Sequence, residues 1–200
     1  MTLDEFLAWE ERQEARWEFD GFAPVPWGDG FDAHGVTGGT RAHSAISHAL
    51  HRSVGGRLPR PGPCRYHGAD LRFVTASGRS RYPDGFVACG PGGGPRDTVE
   101  REPVVVSEVL SASTAALDRT EKAREYRDTP SVRRYVMLEQ DAVAATVHAR
   151  EPDGRWTVHL LAGGDALDLP EVGVSSPLAE LYEDVALPDT EASSPAGGGA

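Results

Sequence analysis

Residues 103–110 read Pro-Val-Val-Val-Ser-Glu-Val-Leu and predict the strand around which the rest of the chain folds. Val104, Val105 and Val106 are apolar on both faces of this strand, which is typical of a central strand covered on both sides. Near its end the same strand carries Glu108. Because burying an unpaired charge is costly, we expect this carboxylate to have a partner, either Mg²⁺ or a cationic side chain.

Further helix and strand signals surround this segment. Asp20-Gly21 between two short apolar runs is a strong hairpin signal, and Thr2 with Glu5 forms a capping box at the start of an amphipathic helix. The predicted helices span residues 2–16, 40–54 and 114–128, and the other predicted strands span 64–66, 69–75, 84–89, 132–138, 143–149 and 156–161. Helices packed on a mixed central sheet make an α/β or α+β layer domain.

Length and composition favour one domain, residues 1–187, followed by a tail. A chain of 200 residues with 39% apolar content can bury one substantial core. Residues 188–200 are acidic and rich in glycine, have no core to join, and are expected to be disordered.

The chain lacks the usual signals for export or membrane insertion. It has no apolar run of about eighteen residues, and its first residues lack a basic region followed by an apolar one. Cys64 and Cys89 are too few and too far apart for a disulfide framework, so we interpret both as buried thiols in a reducing compartment. These observations predict a cytoplasmic protein without a membrane partner.

Charge is unevenly distributed along the sequence. The net charge of −11 argues against nonspecific binding to nucleic acid. Between residues 41 and 81, however, eight arginines and four histidines accompany a single acid, Asp70. Arg41, Arg52, Arg72 and Arg81 are therefore candidate contacts to a nucleic acid, while a spread-out solvated face is an equally good interpretation.

Lys122 is the only lysine in the chain, and the other nineteen Lys or Arg positions are all arginine. A lysine suits a position that needs a compact point charge able to lose its proton. Asp84 follows Pro83 at the start of a predicted strand and Glu108 closes another, so neighbouring strands would bring both acids to one hard cation. Two acids and a lysine are the parts of a metal-dependent phosphodiesterase site.

The helix after Glu108 offers two interpretations of Lys122. Asp118, Lys122 and Tyr126 recur every four residues on one helical face, which would aim the ammonium at the two acids. The same spacing describes an ordinary surface pair between Asp118 and Lys122, worth a few tenths of a kcal/mol.

Several segments resemble a known family in their order along the chain. Tyr82-Pro83-Asp84, the run from Glu108 to Thr114, and Asp118-Arg119 with Lys122 and Tyr126 are similar to the Uma-two family of restriction-endonuclease-like proteins, a branch of the PD-(D/E)XK nuclease superfamily. The likeness starts at the TLDEFLAWEE helix and extends to about residue 150. It implies a restriction-endonuclease-like core, with a central mixed sheet flanked by helices.

The resemblance also implies an activity, that of an endonuclease dependent on Mg²⁺ or Mn²⁺, with DNA as the expected substrate. Asp84 and Glu108 would bind the ion, and Lys122 would orient or deprotonate the attacking water. Supporting roles at the metal site or near the substrate fall to residues that match recurrent family positions or share the Lys122 face: Glu18, His43, Asp70, Asp118 and Tyr126.

The chain departs from the family pattern at two positions. Leu110 stands where the superfamily usually has a lysine, two residues after the glutamate, and Ala112 stands where the family usually has a proline. Activity therefore depends on Lys122 reaching the acids from the helix, whereas we expect Ala112 to be tolerated.

Two other functions remain open. One is a catalytically silent module on the same fold that binds nucleic acid or protein, and the other is a metal-dependent hydrolase of a small phosphoester or nucleotide. A long arginine-lined groove would favour a polymer, and a closed pocket would favour a small molecule. For cleavage of a duplex, a two-fold homodimer is a reasonable expectation.

Overall fold

The computed structural model describes residues 1–27, 31–32, 35–36 and 39–187. The helices are α1 (Leu3–Glu10), α2 (Arg41–Leu50), α3 (Ala115–Leu117) and α4 (Ala123–Asp128), with π-helical turns at His51–Gly55 and Asp118–Lys122 and 3₁₀ turns at Pro170–Val172 and Leu178–Tyr182. The strands are β1 (Trp17–Phe19), β2 (Pro24–Pro26), β3 (Phe31–Asp32), β4 (Gly35–Val36), β5 (Cys64–Gly68), β6 (Arg72–Val74), β7 (Ser80–Arg81), β8 (Gly85–Cys89), β9 (Val99–Glu100), β10 (Pro103–Val109), β11 (Arg134–Leu138), β12 (Ala144–Arg150), β13 (Trp156–Ala162), β14 (Ala166–Leu169) and β15 (Val174–Pro177).

The predicted central strand, β10, lies inside a six-stranded mixed sheet of order β13-β12-β11-β10-β8-β5. It pairs in parallel with β11 and antiparallel with β8, so the sheet is mixed as expected. A smaller sheet of order β2-β1-β7-β6-β9 contains the predicted Asp20-Gly21 hairpin. The mixed α+β fold class is thereby confirmed.

Each face of β10 lies in its own core. Val105 and Val109 pack with Ile46 and Leu50 of α2 in the larger core, which also takes in the C-terminal hairpin β14–β15. Val106 and Leu110 pack on the opposite side with α4. Alternation along the strand places Glu108 on this second side, beneath the helical segment 115–128.

Helix α1 ends at Glu10 rather than at residue 16. Residues 11–14 are Glu-Arg-Gln-Glu and supply no apolar side chain to continue the buried face. The C-terminal hairpin β14–β15 was not predicted, although its residues Leu167, Leu169 and Val174 are buried in the larger core. The predicted tail, residues 188–200, lies outside the described residues, so the division into one domain and a tail stays a prediction.

Cys64 and Cys89 form a disulfide, so the interpretation of both as thiols is wrong. Antiparallel pairing of β5 with β8 places Cys64 directly opposite Cys89, although 25 positions separate them in sequence. Because the two cysteines are bonded to each other, they no longer support a reducing compartment. A cytoplasmic location therefore stays a prediction, and within the described ranges no helix has the length and apolar character needed to cross a bilayer.

Candidate active site

The register of two strands brings Asp84 and Glu108 together. β8 and β10 pair antiparallel, with Gly85 opposite Ser107, so extending the register by one residue places Asp84 across from Glu108. The backbone N–H of Val109 donates to Asp84 Oδ2 at 2.7 Å, which ties the two strands at this point. Neighbouring strands thus bring the two acids to one sheet position, as the sequence predicted.

The carboxylate of Glu108 is buried and receives two hydrogen bonds. Lys122 Nζ donates to Glu108 Oε1 at 3.1 Å, and the hydroxyl of Tyr126 donates to the same oxygen at 3.0 Å. Both donors come from the helical segment 115–128, which covers this side of the sheet. Burial raises the pKa of Glu108 well above its ordinary value, and the nearby acids Asp118 and Asp84 add to this effect.

Lys122 is a buried residue and not part of a surface pair, since its exposed fraction is only 6%. Besides Glu108, its ammonium lies 3.0 Å from Asp118 Oδ1 and 4.0 Å from Glu18 Oε1. Burial alone would lower the pKa of Lys122, but the charges of Glu108, Glu18 and Asp118 outweigh it and raise the pKa well above its ordinary value. Lys122 is therefore a persistent cation among carboxyl groups.

Glu18 reaches this cluster from the smaller sheet. Its carboxylate accepts from the backbone N–H of Tyr82 at 3.0 Å and from Arg81 Nη1 at 2.9 Å. Burial would raise the pKa of Glu18, but Lys122 and Arg81 outweigh it, so the pKa is lowered. Arg81 continues to Glu125 of α4 through two hydrogen bonds of 2.7 and 2.9 Å. An ion network therefore joins the two sheets beneath the site.

Asp84 has a different environment from Glu108. Its Oδ1 lies 2.8 Å from Nε2 of His43, a residue of the first turn of α2, and its side chain is 11% exposed. Thr40 caps this helix by accepting from the backbone N–H of His43. The helix cap thus fixes the start of α2, and His43 on its first turn holds the Asp84 carboxylate.

A cavity of about 370 Å³ gathers these groups. Its polar lining includes Glu18, His43, Asp84, Glu108 and Lys122. Two carboxylates on one cavity fit Mg²⁺ or Mn²⁺, because such ions commonly use one or two protein carboxylates together with water and substrate phosphate oxygens. Within the described residues, no group of three or more His, Cys, Asp or Glu side chains is arranged to hold a metal ion by itself.

Two of the candidate nucleic-acid contacts are wrong. Arg72 is 5% exposed and lies 3.0 Å from Glu10 Oε2, and Arg81 is 2% exposed within the network already described. Buried and paired guanidinium groups have no free face for a phosphate backbone. Arg41 and Arg52 are exposed, and Arg52 lies 3.5 Å from Asp184.

Asp70 stands apart from the other expected site residues. It lies exposed in the turn between β5 and β6 and does not line the cavity. The lining also includes residues that sequence reasoning missed, namely Trp27 at the end of the first hairpin, Thr40 at the helix cap and Gln140 after β11. No spacing pattern indicated them, because each reaches the cavity only through the tertiary fold.

Comparisons with known proteins identify relatives of this chain. The sequence profile of the Uma2 family, described as "Putative restriction endonuclease", matches residues 3–179. Two uncharacterized proteins of Synechocystis sp. are similar to the chain. One, slr1290, is 30% identical over 188 residues, covering 93% of each chain, and the other, sll1609, is 25% identical over 174 residues, covering 83% of this chain and 90% of that protein.

The fold has a counterpart among solved structures. The crystal structure of a putative nuclease belonging to DUF820 from Anabaena variabilis matches with a TM-score of 0.72 at 16% identity, covering 91% of this chain and 97% of that chain. This likeness shows the fold, and the profile match over nearly the whole chain shows the family. The chain belongs to the Uma2 family of restriction-endonuclease-like proteins.

Proposed function

We propose that this protein is a metal-dependent endonuclease that hydrolyses phosphodiester bonds, with DNA as its substrate. The observation that carries the proposal is the meeting of Asp84, Glu108 and Lys122 on one cavity, in a chain of the Uma2 family. Glu108 and Lys122 are in direct contact at 3.1 Å. The donor set supports Mg²⁺ or Mn²⁺, held by Asp84 and Glu108.

A bound divalent ion would polarise the phosphate and lower the pKa of a water molecule. The protein's own residues do the positioning. His43 and the Val109 N–H hold the Asp84 carboxylate, while Tyr126 and Lys122 hold that of Glu108. Holding these carboxylates in place would keep the attacking water oriented toward the phosphate, because small displacements of reacting groups slow a reaction strongly.

Lys122 acts here as a cation rather than as a base. Its raised pKa keeps the ammonium protonated, so it can donate hydrogen bonds to water or phosphate oxygen and offset the negative charge that develops in the transition state. Of the two roles the family resemblance implied for Lys122, orienting the water is the one that the raised pKa supports.

Nicking of supercoiled plasmid in Mg²⁺ tests the proposal. Asp84→Asn and Glu108→Gln remove a ligand charge while keeping side-chain shape. Both should lower the cleavage rate at least about 100-fold, because changing even an outer-shell partner of a metal ligand typically costs about 10- to 100-fold. Glu139→Gln is the matched control, because Glu139 is a half-buried acid paired with Arg119 outside this cavity.

Cleavage that is equal in wild type and both variants would indicate a contaminating nuclease, and binding of DNA without cleavage would indicate a silent module. A homodimer, expected for cutting both strands of a duplex, is tested in the same preparation by measuring its mass in solution.

A second candidate function is hydrolysis of a small phosphoester or nucleotide. It is favoured because arginines expected to line a groove for a polymer form ion pairs with glutamates of the chain itself. Arg57 contacts Glu180 at 2.6 Å and Arg79 contacts Glu125 at 2.6 Å. Salt dependence separates the two functions, because binding to a polymer weakens steeply with salt whereas binding to a mononucleotide does so far less.

A further inference from the structure

Trp27 places a large aromatic ring on the cavity that holds the candidate catalytic carboxylates. It directly follows strand β2 of the first hairpin, and Val25 and Pro26 of that strand also line the cavity. Leu117 of α3 contributes a further apolar contact to the same lining. The cavity therefore combines a charged part, made by Glu18, Asp84, Glu108 and Lys122, with an apolar and aromatic part.

The indole of Trp27 is anchored relative to Asp84. Its Nε1–H donates to the backbone oxygen of Tyr82 at 3.1 Å, and Tyr82 lies two residues before Asp84. The backbone N–H of Trp27 also donates to the oxygen of Arg16 at 3.2 Å. The Arg16 guanidinium carbon lies 5.3 Å from the indole centroid and 5.7 Å from that of Tyr82.

The anchoring partner Tyr82 is itself fixed. Only 6% of it is exposed, its ring lies 6.2 Å from that of Trp27 at an angle of 67°, and its hydroxyl donates to Glu10 at 2.8 Å. The indole is thus part of a packed cluster that includes Tyr82, two residues before Asp84, and Asp84 in turn directly precedes strand β8. A ring fixed in this way loses little conformational entropy when a ligand stacks on it.

The size and chemistry of the cavity match one nucleotide. A volume of about 370 Å³ is near the lower end of the roughly 300–1,000 Å³ typical of small-ligand sites. A cation held by the carboxylates would bind the phosphate. An aromatic and apolar wall suits a base, because any base can stack on aromatic side chains. A base that is paired and stacked within a duplex cannot offer its face to such a wall.

We propose that Trp27 forms a base-binding subsite and that the protein acts on an unpaired nucleotide, either in a single strand or displaced from a duplex. This inference rests on the proposed phosphodiester hydrolysis and specifies its substrate. Stacking on Trp27 would position the sugar and phosphate of that nucleotide against Asp84 and Glu108.

Binding measured in the absence of divalent ions tests the subsite independently of cleavage. The probes are a fluorescent single-stranded oligonucleotide, the same strand with abasic residues, its duplex, and adenosine monophosphate as competitor. Trp27→Leu should weaken binding of the normal single strand by about 5- to 150-fold, the usual effect of losing one stacked base. Trp27→Phe, which keeps a ring but loses the N–H anchor, should retain most of the affinity.

Two controls isolate stacking from folding. Phe22→Leu changes an aromatic of the same hairpin that is 78% exposed and lies outside the cavity lining, and it should leave binding unchanged. The abasic strand should bind wild type and Trp27→Leu equally, because it offers no base. Thermal unfolding of each variant establishes that the fold persists.

The inference is overturned if Trp27→Leu binds the normal strand as tightly as wild type, or if it loses equal affinity for normal and abasic strands. Tight competition by the mononucleotide would identify a free nucleotide as the source of the base, whereas preference for the oligonucleotide would identify a nucleic-acid strand. If Trp27→Leu still nicks plasmid and still binds the normal strand better than the abasic strand by the same factor as wild type, the endonuclease proposal stands and only the subsite is removed.

Discussion

At the residue scale, the buried ammonium of Lys122 determines the character of the site. It contacts Glu108 at 3.1 Å and Asp118 at 3.0 Å, with Glu18 at 4.0 Å. Removing one partner of a buried ion cluster leaves charge uncompensated and costs about 3–5 kcal/mol. We expect Lys122→Met to lower the free energy of unfolding by this amount near neutral pH, as measured by urea denaturation.

The cost of Lys122→Met should decrease as the pH falls. Burial raises the pKa of Glu108, and a carboxyl group whose folded-state pKa is raised favours the folded state below its unfolded value and loses that contribution as the pH rises through the folded value. At low pH Glu108 is neutral, so removing the ammonium no longer leaves its charge uncompensated. For the same reason, adding Glu108→Gln to Lys122→Met should recover part of the lost free energy of unfolding.

Arg119→Ala provides the matched control for this prediction. Arg119 belongs to the same helical segment, and its pair with Glu139 has side chains that are 45% and 27% exposed. Such a pair contributes at most about 1 kcal/mol. Equal costs for Lys122→Met and Arg119→Ala, or a Lys122→Met cost that does not change with pH, would contradict the buried-cluster account.

Only part of this site could be predicted from the sequence. The four-residue spacing of Asp118, Lys122 and Tyr126 correctly indicated one helical face, and Glu108 on an apolar strand correctly indicated a buried carboxylate in need of a partner. Glu18 lies 90 residues before Glu108, and its approach depends on how the smaller sheet packs. Arg72 and Arg81 looked like surface cations because no local pattern reveals a partner such as Glu10 or Glu125.

At the element scale, the start of β8 depends on a glycine. A Cβ atom added to Gly85 would lie 1.9 Å from the hydroxyl of Tyr66 and 2.6 Å from the ring carbon that carries it. Tyr66 belongs to the neighbouring strand β5, and Gly85 directly follows Asp84, so strand pairing and site geometry share this position. The Tyr66 side chain occupies the space that a side chain at position 85 would need, which explains why glycine follows Asp84 here.

Gly85→Ala should therefore destabilise the protein by about 1–3 kcal/mol, the usual cost of overpacking a well-packed region. Adding Tyr66→Phe should recover part of the loss, because it removes the atom nearest to the new methyl group. Gly164→Ala is the control, since an added Cβ meets nothing within 4 Å there. Thermal unfolding compares the variants, and a neutral Gly85→Ala would show that the Tyr66 side chain can move aside without cost.

At the scale of the whole molecule, the two sheets and their covering helices meet at the candidate site. The larger sheet provides Glu108, the smaller one provides Glu18, the segment 115–128 provides Lys122, and α2 provides His43. The strand order along each sheet could not be predicted, because local propensity and periodicity carry no information on which distant strands pair. That is also why the disulfide escaped prediction.

The disulfide between Cys64 and Cys89 closes a segment that contains β5 to β8 and Asp84. With 25 positions between the cysteines, its loss should lower the free energy of unfolding by roughly 3 kcal/mol, chiefly by freeing the unfolded chain. We expect dithiothreitol to shift the urea midpoint of wild type downward, and Cys64→Ser/Cys89→Ser to show the lower midpoint with or without reductant. If dithiothreitol shifts the double variant as much as wild type, the effect does not come from this disulfide. If the double variant unfolds at the same midpoint as wild type, the disulfide does not contribute to stability, and strand hydrogen bonds and side-chain packing alone hold β5 and β8 in register.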